Sequence, residues 1–480
     1  MAAVSPSQGP VVSPFRSPTV RLLFVTRIVR LFAYGFVALI LWLYLAALGW
    51  TPERIGLLLT MTLLGDVVVS LWITTTADRL GRRRMLVAGA VLMALAGAVF
   101  LTADDFYLLL AAATIGVISP SGNEVGPFLA IEQAALAQVV TAEQRTRVFA
   151  WYSLAGALAG AFGFLFCGLT VQALRDYAGF TPLQSYRAVL WVYAGVGVLL
   201  AVLFTRLSST AEAHAAAPAE KPPPRPARSP WPDAENRDAS LTGQPMKDHG
   251  LPVRSLTEAS NPPLALEKVP PAFLGLHRSR GVVFGLSALF ALDAFAGGFV
   301  IQSAMVAWFQ IRFGADERTL GVIFWAANFL AGFSALAAAA VARRVGLLRT
   351  MVFTHAPSNV LLILVPFMPN LQLAVGVLLL RFAISQMDVP ARQSYTAAMV
   401  SPDERSAAAG VTGVARTAGA ALSPYLVGLL LAPALAPMGW PFIVSGALKL
   451  VYDGLVYWRF RTSVPPEEQA PRKEENELEE

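Results

Sequence analysis

The sequence predicts an all-α polytopic membrane protein of about twelve transmembrane helices, arranged as two pseudo-symmetric bundles of six. Three observations carry this expectation. Of the 480 residues, 55% are hydrophobic and only 14% charged, against about 25% charged in an ordinary soluble domain. The apolar residues come in blocks of about 20, the length of helix that crosses a hydrocarbon core. A stretch near the middle of the first half also recurs, without gaps, in the second.

The apolar blocks, bounded by charges, Gly or Pro, predict spans at 23–48, 54–77, 85–103, 106–131, 148–171 and 187–205. A second set follows at 281–306, 317–341, 350–368, 372–398, 407–432 and 440–460. Short connections carrying Arg79, Arg82, Arg83 and Arg84, then Arg145 and Arg147, then Arg343, Arg344 and Arg349 fall on alternate sides. Cation-rich loops stay in the cytoplasm, so both termini are expected there, in a plasma or bacterial inner membrane. The opposite connections are poorer in cations, although Arg54, Arg175, Arg312 and Arg318 break the rule.

The domain boundaries follow from the same reading. Residues 1–22 are expected to be a disordered cytoplasmic N-terminus, 23–205 the N-terminal bundle and 281–461 the C-terminal bundle. Between the bundles, 206–280 is rich in Pro and poor in aromatics, as in Pro222-Pro223-Pro224-Arg225-Pro226, and predicts a disordered linker. Residues 462–480 form an acidic tail. The first span is too long for a signal-peptide core and is read as retained. A formal charge of +6 sits in loop clusters that topology explains, so no nucleic acid is expected. Cys167 is alone, and His214, His249, His277 and His355 lack metal-ligand spacing, so neither a disulfide nor a metal or other cofactor is expected.

The repeat is clearest after the fourth and tenth spans. Gln133 through Val140-Thr141-Ala142-Glu143-Gln144-Arg145 aligns with Gln393 through Val400-Ser401-Pro402-Asp403-Glu404-Arg405. Arg79-Leu80-Gly81 echoes Arg344-Val345-Gly346, and Gly56 and Gly321 open the second and eighth spans in the same register. Two bundles related by an axis along the membrane normal place a solute site between them, near the midplane.

Between spans two and three the chain reads Thr74-Thr75-Thr76-Ala77-Asp78-Arg79-Leu80-Gly81-Arg82-Arg83. This resembles the major facilitator superfamily marker G-x-x-x-D-R-x-G-R-R, with Thr74 in place of the leading Gly. The resemblance covers all the expected spans. It implies a carrier fold whose spans one, four, seven and ten line a central cavity, and a gate role for Asp78, Arg79, Gly81 and Arg82 at the cytoplasmic face. The antiporter Gly and Pro motif is only partly matched by Gly156-Ala157-Leu158-Ala159-Gly160-Ala161-Phe162-Gly163, and the sugar-porter signatures are absent.

Charges at membrane depth are costly and therefore functional candidates. Arg27, Arg30 and Tyr34 share a face of span one, and Arg381, Ser385, Asp388 and Arg392 share a face of span ten. Asp293, beside Gly297-Gly298, is ranked first for proton coupling, and Glu124, after Ser119-Pro120-Ser121-Gly122-Asn123, close behind. Arg30, Tyr34, Glu124, Asp293, Arg381, Ser385 and Asp388 are thus the expected solute and proton pathway. Glu132 and Arg392 occupy equivalent repeat positions with opposite charges and are expected to form a latch, with Arg145 and Arg405 beside them. Asp66 is read as a helix-register ion pair, Arg416 as the partner of an acid in the other half, and Trp151, Trp308 and Trp325 as interface anchors. Trp325 and Asn328 of span eight are minor cavity candidates.

The function expected is secondary active transport of a small solute by alternating access, coupled to protons, by a monomer in the lipid bilayer. Efflux of a drug-like solute or metabolite is placed ahead of uptake of a small polar or anionic metabolite. A receptor or sensor with a transporter fold is the rival from another class. An enzyme is not expected, since no nucleophile and base or metal cluster lies at depth.

Overall fold

The computed structural model describes residues 17–124, 126–208, 212 and 276–461. Most of the expected linker, the acidic tail and the side chain of Asp78 lie outside the described residues. The first half comprises α1 (Pro18–Ala47), α2 (Pro52–Leu80), α3 (Arg82–Thr102), α4 (Phe106–Ile115), α5 (Phe128–Val139), α6 (Ala142–Ala178) and α7 (Pro182–Thr205). The second comprises α8 (Arg280–Gly298), α9 (Gln302–Phe313), α10 (Glu317–Val345), α11 (Leu347–Leu364), α12 (Leu371–Ile384), α13 (Asp388–Ala398), α14 (Arg405–Leu430) and α15 (Trp440–Phe460). Helix α1 begins at Pro18, five residues inside the segment expected to be an unstructured N-terminus.

Among the described residues, nine stretches are long and apolar enough to cross a membrane. The other three expected spans fall short for visible reasons. The fourth is broken between α4 and α5, while α14 carries Arg416 and α15 carries Lys449 and Asp453. The turns at the ends remote from the arginine clusters are closed by specific residues. Pro52 and Pro182 sit in first turns, where the missing N–H costs nothing. The side chains of Asp105, Asp316 and Asn370 accept the N–H of Leu108 (2.9 Å), Thr319 (2.8 Å) and Leu373 (3.0 Å).

Three expected spans are interrupted at depth: the fourth at 116–127, the seventh at 299–301 and the tenth at 385–387. Broken backbone is tolerated in a bilayer only where protein or a water-filled cavity satisfies it. Here the breaks meet one another across the halves, as the Ser303 N–H donates to the Pro120 carbonyl at 3.2 Å. Among the described residues, Asp66 of α2 has no ion-pair partner. It accepts the Gly126 N–H at 2.6 Å and the Ser70 hydroxyl at 3.0 Å, and so pins the first break.

The internal repeat is visible in the contacts. Gly81 and Gly346 end α2 and α10 with φ of +101° and +87°, a conformation that favours glycine. Arg145 donates to the Ala137 carbonyl and Arg405 to the Ala397 carbonyl, each at 3.0 Å, tying the last turn of α5 or α13 to the next helix. At the end remote from the arginine loops, Gly56 of α2 packs on Gly428 of α14, and Gly321 of α10 packs on Gly168 of α6. A Cβ on Gly56 would lie 2.5 Å from the Pro424 carbonyl oxygen, and one on Gly321 2.8 Å from that of Phe164. The halves therefore touch backbone to backbone there.

Candidate solute cavity

The three breaks open onto one cavity of about 460 Å³ between the halves. Ser121, Asn123 and Glu124 come from the first break, Val300 and Ile301 from the second with Gln302 at the start of α9, and Ser385 and Gln386 from the third. Asp293, Arg381, Asp388, Arg392, Arg416 and Lys449 complete a strongly polar lining. The far end is shut by cross-half contacts. Glu317, only 2% exposed, accepts from Arg175 (2.8 Å) and from the Tyr186 hydroxyl (2.6 Å), and the Tyr425 N–H donates to Thr60 (2.9 Å). Farther along α6 and α10 from this clasp, Phe162 packs on Trp325 and Phe164 on Phe324.

Of the pathway residues expected from sequence, Glu124, Asp293, Arg381, Ser385 and Asp388 line the cavity. Arg30 and Tyr34 do not; both are fully buried behind Glu124. Arg30 makes a two-pronged contact with Glu132 (2.6 and 2.8 Å) and a second ion pair with Glu124 (2.9 Å). Arg27 pairs with Glu124 (2.8 Å), donates to the Tyr152 carbonyl (2.8 Å) and stacks on the Tyr152 ring. Thr26 and the Tyr152 hydroxyl fill the remaining sites on Glu132, at 3.3 and 2.5 Å. Gly156 makes room for this, since a Cβ there would lie 2.6 Å from the Arg27 Nε.

The second half holds a different cluster. Asp293 accepts from Lys449 (2.6 Å) and Arg392 (2.9 Å), with Arg416 at 3.5 Å and the His355 Nε2 at 3.8 Å. Arg392 also meets Asp388 at 3.3 Å. Behind this ring, the His355 Nδ1 lies 2.7 Å from Asp453, and Asn359 donates to the same carboxylate at 3.0 Å. Asp293, the carboxyl ranked first for proton coupling, is therefore the hub of an ion cluster on which three cations converge.

Other expectations are corrected by the same contacts. Glu132 and Arg392 do not pair with each other here, since each is engaged by a residue of its own half. Arg416 has its nearest carboxylate, Asp293, in its own half. Trp308 is fully buried and donates to the Ala436 carbonyl at 2.9 Å, so it is a core wedge and not an interface anchor. Asn328 reaches the site only through a reciprocal amide pair with Gln302 (2.8 and 2.9 Å). Around the motif, the N–H groups of Arg82 and Arg83 donate to the Glu212 carboxylate at 2.7 and 3.2 Å, where the start of α3 attracts an anion. Thr74 turns its hydroxyl onto the Ser70 carbonyl of its own helix at 2.6 Å. His355, Lys449 and Asp453 were absent from the expected site, because spans nine and twelve are not among those the resemblance assigns to the cavity.

Two helical halves that close at one end over a charged cavity define a membrane carrier of the rocking two-bundle class. The chain belongs to the Major Facilitator Superfamily, whose family model matches residues 22–424. It is 30% identical over 441 residues to the uncharacterized membrane protein YJR124C of Saccharomyces cerevisiae, covering 91% of this chain and 93% of that protein. Among solved structures, a bacterial homologue of the human lysosomal transporter Spinster in an inward-facing conformation aligns with a TM-score of 0.64 at 14% identity, over 94% of this chain and 98% of that one. The nucleoside transporter NupG aligns at 0.64 and 11% identity, over 92% of this chain and 99% of that one. A bacterial homologue of the iron transporter ferroportin, also inward-facing, aligns at 0.63 and 12% identity, over 92% and 98%. The protein is accordingly an integral membrane transporter, not an enzyme.

Proposed function

We propose that this protein is a monomeric, proton-coupled secondary transporter that carries a small polar solute by rocking its halves about the central cavity. The observation that carries this reading is the cavity itself, walled by three helix breaks from both halves and sealed at one end by Arg175, Tyr186 and Glu317. Its lining brings charges and amides among apolar residues such as Val300, Met305 and Phe382, which supports a polar metabolite over the drug-like solute, the two efflux cargoes placed first on sequence grounds. The arginine-rich loops support a plasma or inner membrane setting with the loop end, opposite the seal, and both termini in the cytoplasm. Asp293 is the coupling carboxylate in this reading, since it can trade Lys449, Arg392 and Arg416 for a proton as the solute arrives and leaves.

The test is uptake and counterflow in proteoliposomes across a panel of polar solutes, with and without a pH gradient. Asp293→Asn is expected to abolish proton-driven accumulation and to leave counterflow exchange. Accumulation that survives this change removes Asp293 from coupling. Cysteines introduced at Thr417 and Ala420 should be labelled from either side in turn as solute is added, and labelling confined to one side under all conditions would sink the rocking mechanism.

A further inference from the structure

We infer that the second-half wall of the cavity is an anion subsite, in which the Arg381 guanidinium, supported by Arg416, holds the carboxylate or phosphate group of the transported solute. This rests on the transport reading above and names the chemistry of its substrate. The argument is one of charge balance among residues that share a single chamber. In the first half, Arg27 and Arg30 are matched by Glu124 and Glu132, and every charged group has a partner within 3.3 Å. In the second half, Arg381, Arg392, Arg416 and Lys449 face the cavity with only Asp293 and Asp388 beside them. Asp453 does not relieve the excess, as it is engaged by His355 and Asn359.

The surplus falls on two particular side chains. Asp293 spends its oxygens on Lys449 and Arg392, which leaves Arg416 at 3.5 Å with its buried Nη1 making no hydrogen bond. Arg381 has no carboxylate within ion-pair distance among the described residues, and its buried Nε lacks a hydrogen-bond partner. Its guanidinium carbon lies over the Phe382 ring, 4.7 Å from the centroid. Ser358, only 1% exposed on the same lining, has a hydroxyl that is likewise unpartnered.

A guanidinium kept at membrane depth without a counter-charge is costly unless water or a ligand completes it. Its rigid fork suits the two oxygens of a carboxylate or phosphate. A cationic solute would meet repulsion from four side chains and find both cavity carboxylates of that half already engaged. Glu124, on the opposite wall, is held by Arg27 and Arg30 and offers no free charge to such a solute.

The experiment uses the full chain in nanodiscs, with Cys167→Ser removing the buried native thiol and Ser385→Cys placing a reporter on the cavity. The rates of modification by anionic sulfonatoethyl and cationic trimethylammonioethyl methanethiosulfonate are compared, each normalised to an exposed reference cysteine at Tyr177. A local positive field should favour the anionic reagent by about tenfold or more. Arg381→Gln should remove most of that preference, and Arg381→Lys should keep it. If Arg381→Gln does not fold, Arg416→Gln serves in its place with a smaller expected loss. Protection of the reporter by succinate assigns a carboxylate, and protection by inorganic phosphate assigns a phosphate; protection by choline or sorbitol alone overturns the subsite. A reporter that reacts without anion preference, or whose preference survives Arg381→Gln, also overturns it while leaving the transport reading intact. A reporter that reacts with neither reagent shows no hydrated chamber and overturns both.

Discussion

The ion clusters of the two halves are built at matching places with inverted signs. In the first half a cation on α1, Arg30, grips a carboxylate on α5, Glu132; in the second a carboxylate on α8, Asp293, is gripped by a cation on α13, Arg392. The first is closed: Arg30 and Glu132 are fully buried and the Thr26 and Tyr152 hydroxyls take up the remaining oxygen sites. The second is open, with three cations and a histidine competing for Asp293 beside a cavity. A fully buried pair whose remaining hydrogen-bond sites are filled holds helices in register, whereas a carboxylate with several suitors beside a cavity can change partners at small cost. One half is thus made to keep its shape and the other to respond.

The sharpest way to break this contrast is to remove the paired cations in turn. Arg30→Met strands the Glu132 carboxylate in a dry site while Glu124 keeps Arg27, and should cost about 3–5 kcal/mol in thermal unfolding of the reconstituted protein. Arg392→Met leaves Asp293 with Lys449 and should cost clearly less. Equal losses would mean that the second cluster is as structural as the first.

A smaller effect is expected at the far end. Gly56→Ala and Gly321→Ala push a methyl into opposing backbone, so each should open that end and raise labelling of a cysteine at Thr60 from that side by about tenfold. Unchanged labelling would place the seal elsewhere. Glu317→Gln weakens the contact to Arg175, itself about a third exposed, and should raise the same labelling only a few-fold, in keeping with a pair of which one partner is solvated.

The smallest effect lies where the linker joins α8. Glu404 is buried, which opposes its charge, but the N–H groups of His277, Arg278 and Ser279 hold its carboxyl down to about 2. A depressed folded value means that this anchor is fully present above the ordinary range near 4.5 and is lost as pH falls towards 2. Corrected for the intrinsic exchange rate, the protection of amides 277–283 should therefore fall between pH 5 and pH 3 in the wild type and be insensitive to pH in Glu404→Gln. A flat wild-type profile would remove Glu404 as the anchor.

Much of the architecture was legible because the bilayer leaves few choices. Apolar length pointed to the long helices, and Ser119-Pro120-Ser121-Gly122-Asn123 announced the first break. The third break had a readable sign that went unused: Pro390 lacks an N–H and crowds the carbonyl four residues earlier, at Gln386. The cavity residues on α8, α12 and α13 could be picked out as charges at depth. What could not be read was partnership, since a sequence shows that Glu132 and Arg392 are equivalent but not that each is satisfied within its own half. His355 and Asn359, and likewise Lys449 and Asp453, stand four residues apart and so share a helix face. That pairing of faces was the signal for the inner ring around Asp293, and it lies on spans nine and twelve, outside the four that the resemblance assigns to the cavity.

The glycine crossings at the far end bear on how the protein would move. Where Gly56 meets Gly428 and Gly321 meets Gly168, main chain slides on main chain. No rotamer has to flip and no knob has to leave its hole for the bundles to part along these lines. Resistance to that parting would come chiefly from the Arg175, Tyr186 and Glu317 clasp and from wetting the gap, so the tempo of the cycle would be set by a handful of polar contacts instead of by the bulk of the apolar packing.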